Sequence, residues 1–261
     1  MTAAAALHRL KRLLRHLWIP VGGLAIIVGA FWIDHTHPGR ELVEMPAARA
    51  IGPGIGIDVT RADGSHGVSC TAGFLVHTSD GRPGLLSAGH CNEPGAEGTV
   101  SIHHGGLYVY PIVGRFAESV YGGNDWNNYD IALITLDDTG KIPLTSDVDG
   151  HPLVGLAERV EPGDTLCHFG IRSNQSICGL VVAVEENKVR FVATGRCGDS
   201  GGPVYRLRPD GAAEAVGIYI EVSNGDDSDP KCNEPHEYSI AQLIKPWLKA
   251  WDLTLVTSGQ P

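Results

Sequence analysis

The run Gly198-Asp199-Ser200-Gly201-Gly202-Pro203 places one serine hydroxyl among three glycines. A hydroxyl is a weak nucleophile and needs a base within hydrogen-bond reach. That base needs an acid to fix its tautomer and to stabilise its positive form. The oxyanion that develops on attack needs preorganised N–H donors. Glycines let a backbone turn tightly enough to aim two N–H groups at one point. Ser200 is therefore the expected nucleophile, and the Gly198 and Ser200 N–H groups the expected oxyanion hole. The chemistry this predicts is acyl transfer through a covalent intermediate. An ordinary polar turn is the alternative, and a six-residue string this specific argues against it.

The base is expected in Leu86-Ser87-Ala88-Gly89-His90-Cys91, where a disulfide at Cys91 would pin the loop that carries the His90 imidazole. The chain holds 12 histidines, so the string and not the residue type singles out His90. The acid is expected at Asp130, which opens the apolar run Ile131-Ala132-Leu133-Ile134; Asp125 is its nearby rival.

The elements that must hold these groups read as strands. Short apolar runs recur at 73–76, 84–87, 107–110, 131–134, 180–184, 189–192 and 216–220. Turn pairs separate them, as at Asp80-Gly81, Asp149-Gly150 and Asp210-Gly211. Such spacing predicts an all-β barrel or sandwich. A stretch rich in Asp, Gly and Pro at 137–152 divides two strand-rich halves. Residues 240–248 show helical spacing, with Pro246 expected to kink the helix or start its final turns.

With 34 Gly and 16 Pro in 261 residues, the composition also leans toward turns and strands. The net charge of −10 argues against nucleic acid as a partner, because phosphate binding needs clustered Lys and Arg. The six cysteines (Cys70, Cys91, Cys167, Cys178, Cys197, Cys232) contain no C-x-x-C spacing, so a zinc or thioredoxin-type site is not expected. Their even number leaves the pairing open and suggests an oxidising compartment. Residues 1–16 are basic, with Arg9, Lys11, Arg12 and Arg15 and no acid; Leu17–Ile33 carries no charge. The expectation is a signal anchor over 17–33, with the basic end cytoplasmic and the remainder outside. A cleaved secretory signal is the competing reading. Residues 34–50 read as a linker and 51–261 as the folded domain.

Taken together, the motifs around His90, Asp130 and Ser200 resemble those of the chymotrypsin-like serine proteases, in the same chain order. The resemblance covers roughly 65–261. Cys167-His168-Phe169-Gly170 with Cys178-Gly179-Leu180-Val181, and the tail Gln242–Leu248 leading to Leu253-Thr254-Leu255, are similar to the bacterial streptogrisin-type branch. This implies two six-stranded antiparallel β-barrels, a C-terminal helix, and the disulfides Cys70–Cys91, Cys167–Cys178 and Cys197–Cys232. It also implies an endopeptidase acting on peptides or proteins, without cofactor or metal. Ile51-Gly52-Pro53-Gly54 only loosely echoes the activating terminus of the animal members. An internal arginine is therefore expected to neutralise Asp199, with Arg159, Arg172, Arg190 and Arg196 as candidates. The stretch between Ile33 and Ile51 is too short for a folding pro-segment.

The resemblance places the specificity pocket at Ala193, Thr194 and Gly195, none acidic, so no preference for basic residues is expected. Val222 and His236 stand where many members carry glycine, which predicts a narrowed pocket for a small residue. Recognition of an acidic residue by His236 is the second reading. A catalytically silent binding module that kept the fold is the alternative function. An esterase with a Gly-x-Ser-x-Gly elbow does not fit the motifs. The insert at 226–230 reads as a solvated acidic turn rather than a Ca²⁺ site. His103-His104 and His35-x-His37 read as surface histidines.

Overall fold

The computed structural model describes residues 45–61, 63, 66–92, 98–104, 109–123, 127–137, 139–223 and 237–259, without the side chains of 66 and 221–223. Contacts divide the chain into two units, Met1–Leu42 and Val43–Pro261, and every described residue falls in the second. The anchor expected at 17–33 lies outside the described residues. Among the described residues no helix is long and apolar enough to cross a membrane.

The first half folds as β1 (Gly56–Thr60), β2 (His66–Thr71), β3 (Leu75–His77), β4 (Pro83–Ser87), β5 (Thr99–Ser101), β6 (Ile112–Tyr121) and β7 (Asp130–Leu136). The second half adds β8 (Leu153–Leu156), β9 (Thr165–Gly170), β10 (Gln175–Val184), β11 (Lys188–Phe191), β12 (Pro203–Leu207), β13 (Ala213–Ser223), β14 (Tyr238–Leu243), helix α1 (Lys245–Ala250) and β15 (Thr254–Leu255). The boundary between the halves falls between Leu136 and Leu153, as the Asp/Gly/Pro stretch predicts. The expected Asp-Gly turns are present, with Asp149, Gly81, Gly150 and Gly211 all at positive φ.

Two sheets result. One has eight strands in the order β15-β3-β4-β7-β6-β5-β1-β2. The other runs β12-β9-β10-β11-β14-β13, and a β12–β13 pairing closes it into a six-stranded barrel with β8 alongside β13. The expectation of two six-stranded barrels is thus corrected. The second barrel is six-stranded and closed; the first is an eight-stranded, barrel-like sheet of β1 to β7 plus the C-terminal β15, which returns to pair with β3.

Four further expectations change. Of the residues with helical spacing, 240–243 belong to β14 instead, because both edges are taken up in pairing with β11 and β13. Helix α1 starts only at Lys245, with Pro246 in its first turn, where a missing N–H costs no hydrogen bond. Val109 and Tyr110 are exposed and irregular, not a strand. Packed residues also extend upstream of Ile51. Met45 and Ile51 are buried, and the His103 and His104 Nδ1–H groups donate to the Met45 and Ala48 carbonyls. These two histidines are half-buried structural donors rather than free surface residues.

Candidate active site

His90 sits in a single 3-10 turn, Gly89–Cys91, directly after β4. Gly89 is required there, since a Cβ would run into the Val120 carbonyl of β6. The Cys70–Cys91 disulfide ties this turn back to β2. Asp130 opens β7, whose residues are all buried. Its carboxylate grips His90 twice. Oδ1 accepts the His90 backbone N–H at 2.9 Å, and Oδ2 lies 2.7 Å from Nδ1. A carboxylate can only accept, so Nδ1 carries the proton and Nε2 is left with its lone pair. Asp130 itself is 6% exposed, whereas the His90 side chain is 27% exposed and faces solvent. Gln242 of β14 steadies the acid by accepting the Asp130 backbone N–H at 3.2 Å while donating to the Asn187 carbonyl at 2.7 Å. The rival Asp125 lies outside the described residues.

Ser200 is carried by the loop between β11 and β12. Two bonds from Thr71 of β2 fix the loop, and a third, from Ile171, orients the Thr71 hydroxyl. The Thr71 N–H donates to the Ser200 carbonyl at 2.8 Å, the Thr71 hydroxyl donates to the Gly198 carbonyl at 2.7 Å, and the Ile171 N–H donates to the same hydroxyl at 3.0 Å. The Cys91 sulfur, one residue from His90, lies 3.9 Å from the Ser200 carbonyl. Cys91 and Thr71 thus tie the Ser200 loop to the first sheet, on which the His90–Asp130 pair sits.

The loop's own N–H groups are sorted. Asp199 N–H donates to the Arg196 carbonyl, Gly201 N–H to Tyr219 and Gly202 N–H to Asp199. Among the described residues the Gly198 and Ser200 N–H groups donate to nothing, the condition an oxyanion hole requires. Gly198 adopts φ +103°, a conformation that disfavours any side chain.

Asp199 is fully buried, and its carboxylate is met by four donors. Oδ1 accepts the Arg172 and Ser173 N–H groups at 3.0 and 2.9 Å; Oδ2 accepts the Ser173 hydroxyl at 2.5 Å and the Arg196 N–H at 2.9 Å. The expected internal arginine is thus recast. Arg172 and Arg196 do serve Asp199, through main-chain N–H groups. The chain around Ile51 is not a free amine, because its N–H donates to the Pro143 carbonyl and its side chain is buried.

Of the predicted pocket residues, Ala193 and Gly195 are buried and Thr194 is exposed. Val222 lies in β13 opposite Ser239, but its side chain, together with His236 and Cys232, lies outside the described residues. The insert at 226–230 lies there too. Cys167–Cys178 bridges directly opposed positions of β9 and β10, and Cys197 is disulfide-bonded as well. Among the described residues the only candidate metal cluster is Cys70, His90 and Cys91, and its sulfurs are committed to the disulfide.

Sequence reasoning missed Thr71, Ser173, Gln242 and His168. No local motif marks any of them, and only the fold brings Thr71, Ser173 and His168 to the segment 193–200 and Gln242 to Asp130.

No family model matches the chain. Two Mycobacterium tuberculosis proteins, uncharacterized proteins MT1863 and Rv1815, are 29% and 28% identical over 173 residues, covering 60% of this chain and 69% of each of them. Among solved structures, Nocardiopsis protease is similar with a TM-score of 0.57 and 24% identity, over 79% of this chain and 98% of that one. Thermobifida fusca protease A gives 0.56 and 22%, over 81% and 100%. The fold is that of the bacterial chymotrypsin-like serine proteases. A glutamic-acid-specific serine protease, described as using a histidine triad in substrate binding, is similar at 0.56 and 22%, over 76% of this chain and 97% of that one.

Proposed function

We propose that the chain is a serine endopeptidase. The observation that carries this is the two-point grip of Asp130 on His90, which fixes the Nδ1–H tautomer and makes Nε2 the basic nitrogen, on the turn next to the loop that presents Ser200. In the proposed cycle His90 takes the Ser200 hydroxyl proton as the oxygen attacks the substrate carbonyl. The tetrahedral oxyanion is held by the Gly198 and Ser200 N–H groups. Collapse passes the proton from His90 to the leaving amine and leaves an acyl-enzyme. Water then enters, gives its proton to His90, and attacks the ester; breakdown returns the proton to Ser200. Asp130 stays ionised throughout and stabilises the imidazolium. The buried Asp199, hydrogen-bonded by four internal donors, holds the loop without a new terminus, so no cleavage at Ile51 is needed.

Thr194 lines the proposed pocket, narrowed by Val222 and His236, and the preferred residue before the scissile bond is small. The histidine triad of the glutamic-acid-specific protease favours a second reading, in which His236 recognises an acidic side chain. A peptide library decides between them. Dominant cutting after Ala, Ser or Val supports the narrowed pocket, dominant cutting after Glu supports His236, and robust cutting after Arg or Phe contradicts both. We further propose that residues 17–33 anchor the enzyme with its folded domain outside the cytoplasm. The N-terminal residue of protein purified from membranes tests this: an N-terminus upstream of residue 17 supports the anchor, and one downstream of 33 contradicts it.

A further inference from the structure

His168 is fully buried in β9, where sequence patterning gives no reason for an imidazole. Its Nε2 lies 2.7 Å from the Thr194 carbonyl, which can only accept, so Nε2 carries the proton. Among the described residues Nδ1 has no hydrogen-bond partner. The ring stacks on Tyr219 of β13, centroids 4.7 Å apart, and meets Phe191 edge-on at 6.1 Å. The Tyr219 phenol tip in turn lies under Gly195, where a Cβ would collide with it. Next door, the Ser239 hydroxyl donates to the Ala193 carbonyl at 3.1 Å. The segment 193–195 is therefore supported from inside the barrel at each residue. His168 provides two of the three supports, one directly and one through Tyr219.

We infer that His168 is a positioning residue that fixes the floor of the specificity pocket, by holding the Thr194 carbonyl inward and wedging Tyr219 under Gly195. This deepens the endopeptidase reading and rests on it. A floor residue held from below presents its side chain outward, and exposed Thr194 does so. The same strand continues into the turn that serves Asp199 through Arg172 and Ser173, so pocket floor and nucleophile loop stand on one platform. Burial pushes the His168 imidazole below its ordinary basicity, outweighing the Thr194 carbonyl and the Asp199 charge, both of which favour protonation. This agrees with a neutral ring donating through Nε2.

Two variants separate positioning from bulk packing. His168→Phe keeps ring and volume but removes the donor, whereas His168→Gln keeps an N–H at a similar reach but removes the ring. The full-length protein is assayed with the best peptide from the library and with a small fluorophosphonate that does not need the pocket. Phe should raise KM about tenfold, with kcat and labelling rate within about threefold of wild type, and should broaden residue preference. Gln should restore KM toward wild type. Unchanged KM and preference in His168→Phe would overturn the inference. So would equal losses in Phe and Gln, or a KM loss matched by lost labelling, each of which marks general packing. A wild type that takes neither label nor peptide removes the endopeptidase reading itself, and the inference with it.

Discussion

At the residue scale, the site depends on which atoms hold protons. Asp130 fixes the Nδ1–H tautomer of His90, and Asp130→Asn would present a donor to that N–H. Its kcat should fall by about four orders of magnitude, with KM little changed. Full activity in Asp130→Asn would remove the acid's assigned role. Thr71 is the least conspicuous residue to matter. Thr71→Val keeps the shape but strands the Gly198 carbonyl and the Ile171 N–H. Stability measured from the urea midpoint should drop by about 1–3 kcal/mol and kcat by about tenfold or more, with Thr71→Ser restoring both. His168 gives a pH signature. Its folded-state basicity is lowered, so the unfolded chain binds the proton more readily. Stability is complete above the ordinary imidazole value of 6.5 and declines as pH falls from there through the lowered folded value. Urea midpoints taken from pH 7.5 downward should show this decline, and His168→Gln should flatten it.

At the element scale, β2, the Gly89–Cys91 turn and β9 do the positioning. The Cys70–Cys91 disulfide joins two of them across 21 residues of sequence. Its removal in Cys70→Ala/Cys91→Ala should cost about 3 kcal/mol, read from the urea midpoint against the oxidised parent. The motif residues were legible in the sequence because their chemistry demands fixed neighbours. Gly89 and His90 stand in one string, Gly198 to Pro203 in another, and Asp130 opens an apolar run. The supports were not legible, because Thr71, Gln242 and His168 act across sequence separations that no local pattern records. The tail departs from its sequence pattern for a related reason. Residues 240–243 carry apolar spacing that suits a helix, but sheet pairing on both sides decides for strand. Support for the Asp199 carboxylate is expected from an arginine side chain but comes from three backbone N–H groups, which every residue type carries, and the Ser173 hydroxyl.

At the scale of the whole molecule, each sheet supplies part of the site. The first gives His90, Asp130 and the Thr71 clamp; the second gives Ser200, Asp199 and the proposed pocket floor. Gln242 crosses between them, and β15 returns the chain's end to the first sheet. All-β character and two strand-rich halves could be read from turn spacing. The eighth strand of the first sheet could not, since it depends on where Thr254 and Leu255 land after the helix. The central claim is an activated Ser200, and covalent labelling tests it most directly. A fluorophosphonate should add one phosphonyl group per chain, mapped by peptide mass to the fragment containing Ser200, and Ser200→Ala and His90→Ala should remain unlabelled. An unlabelled wild type, under conditions that label an active serine protease, would contradict the account and leave a protease fold that only binds.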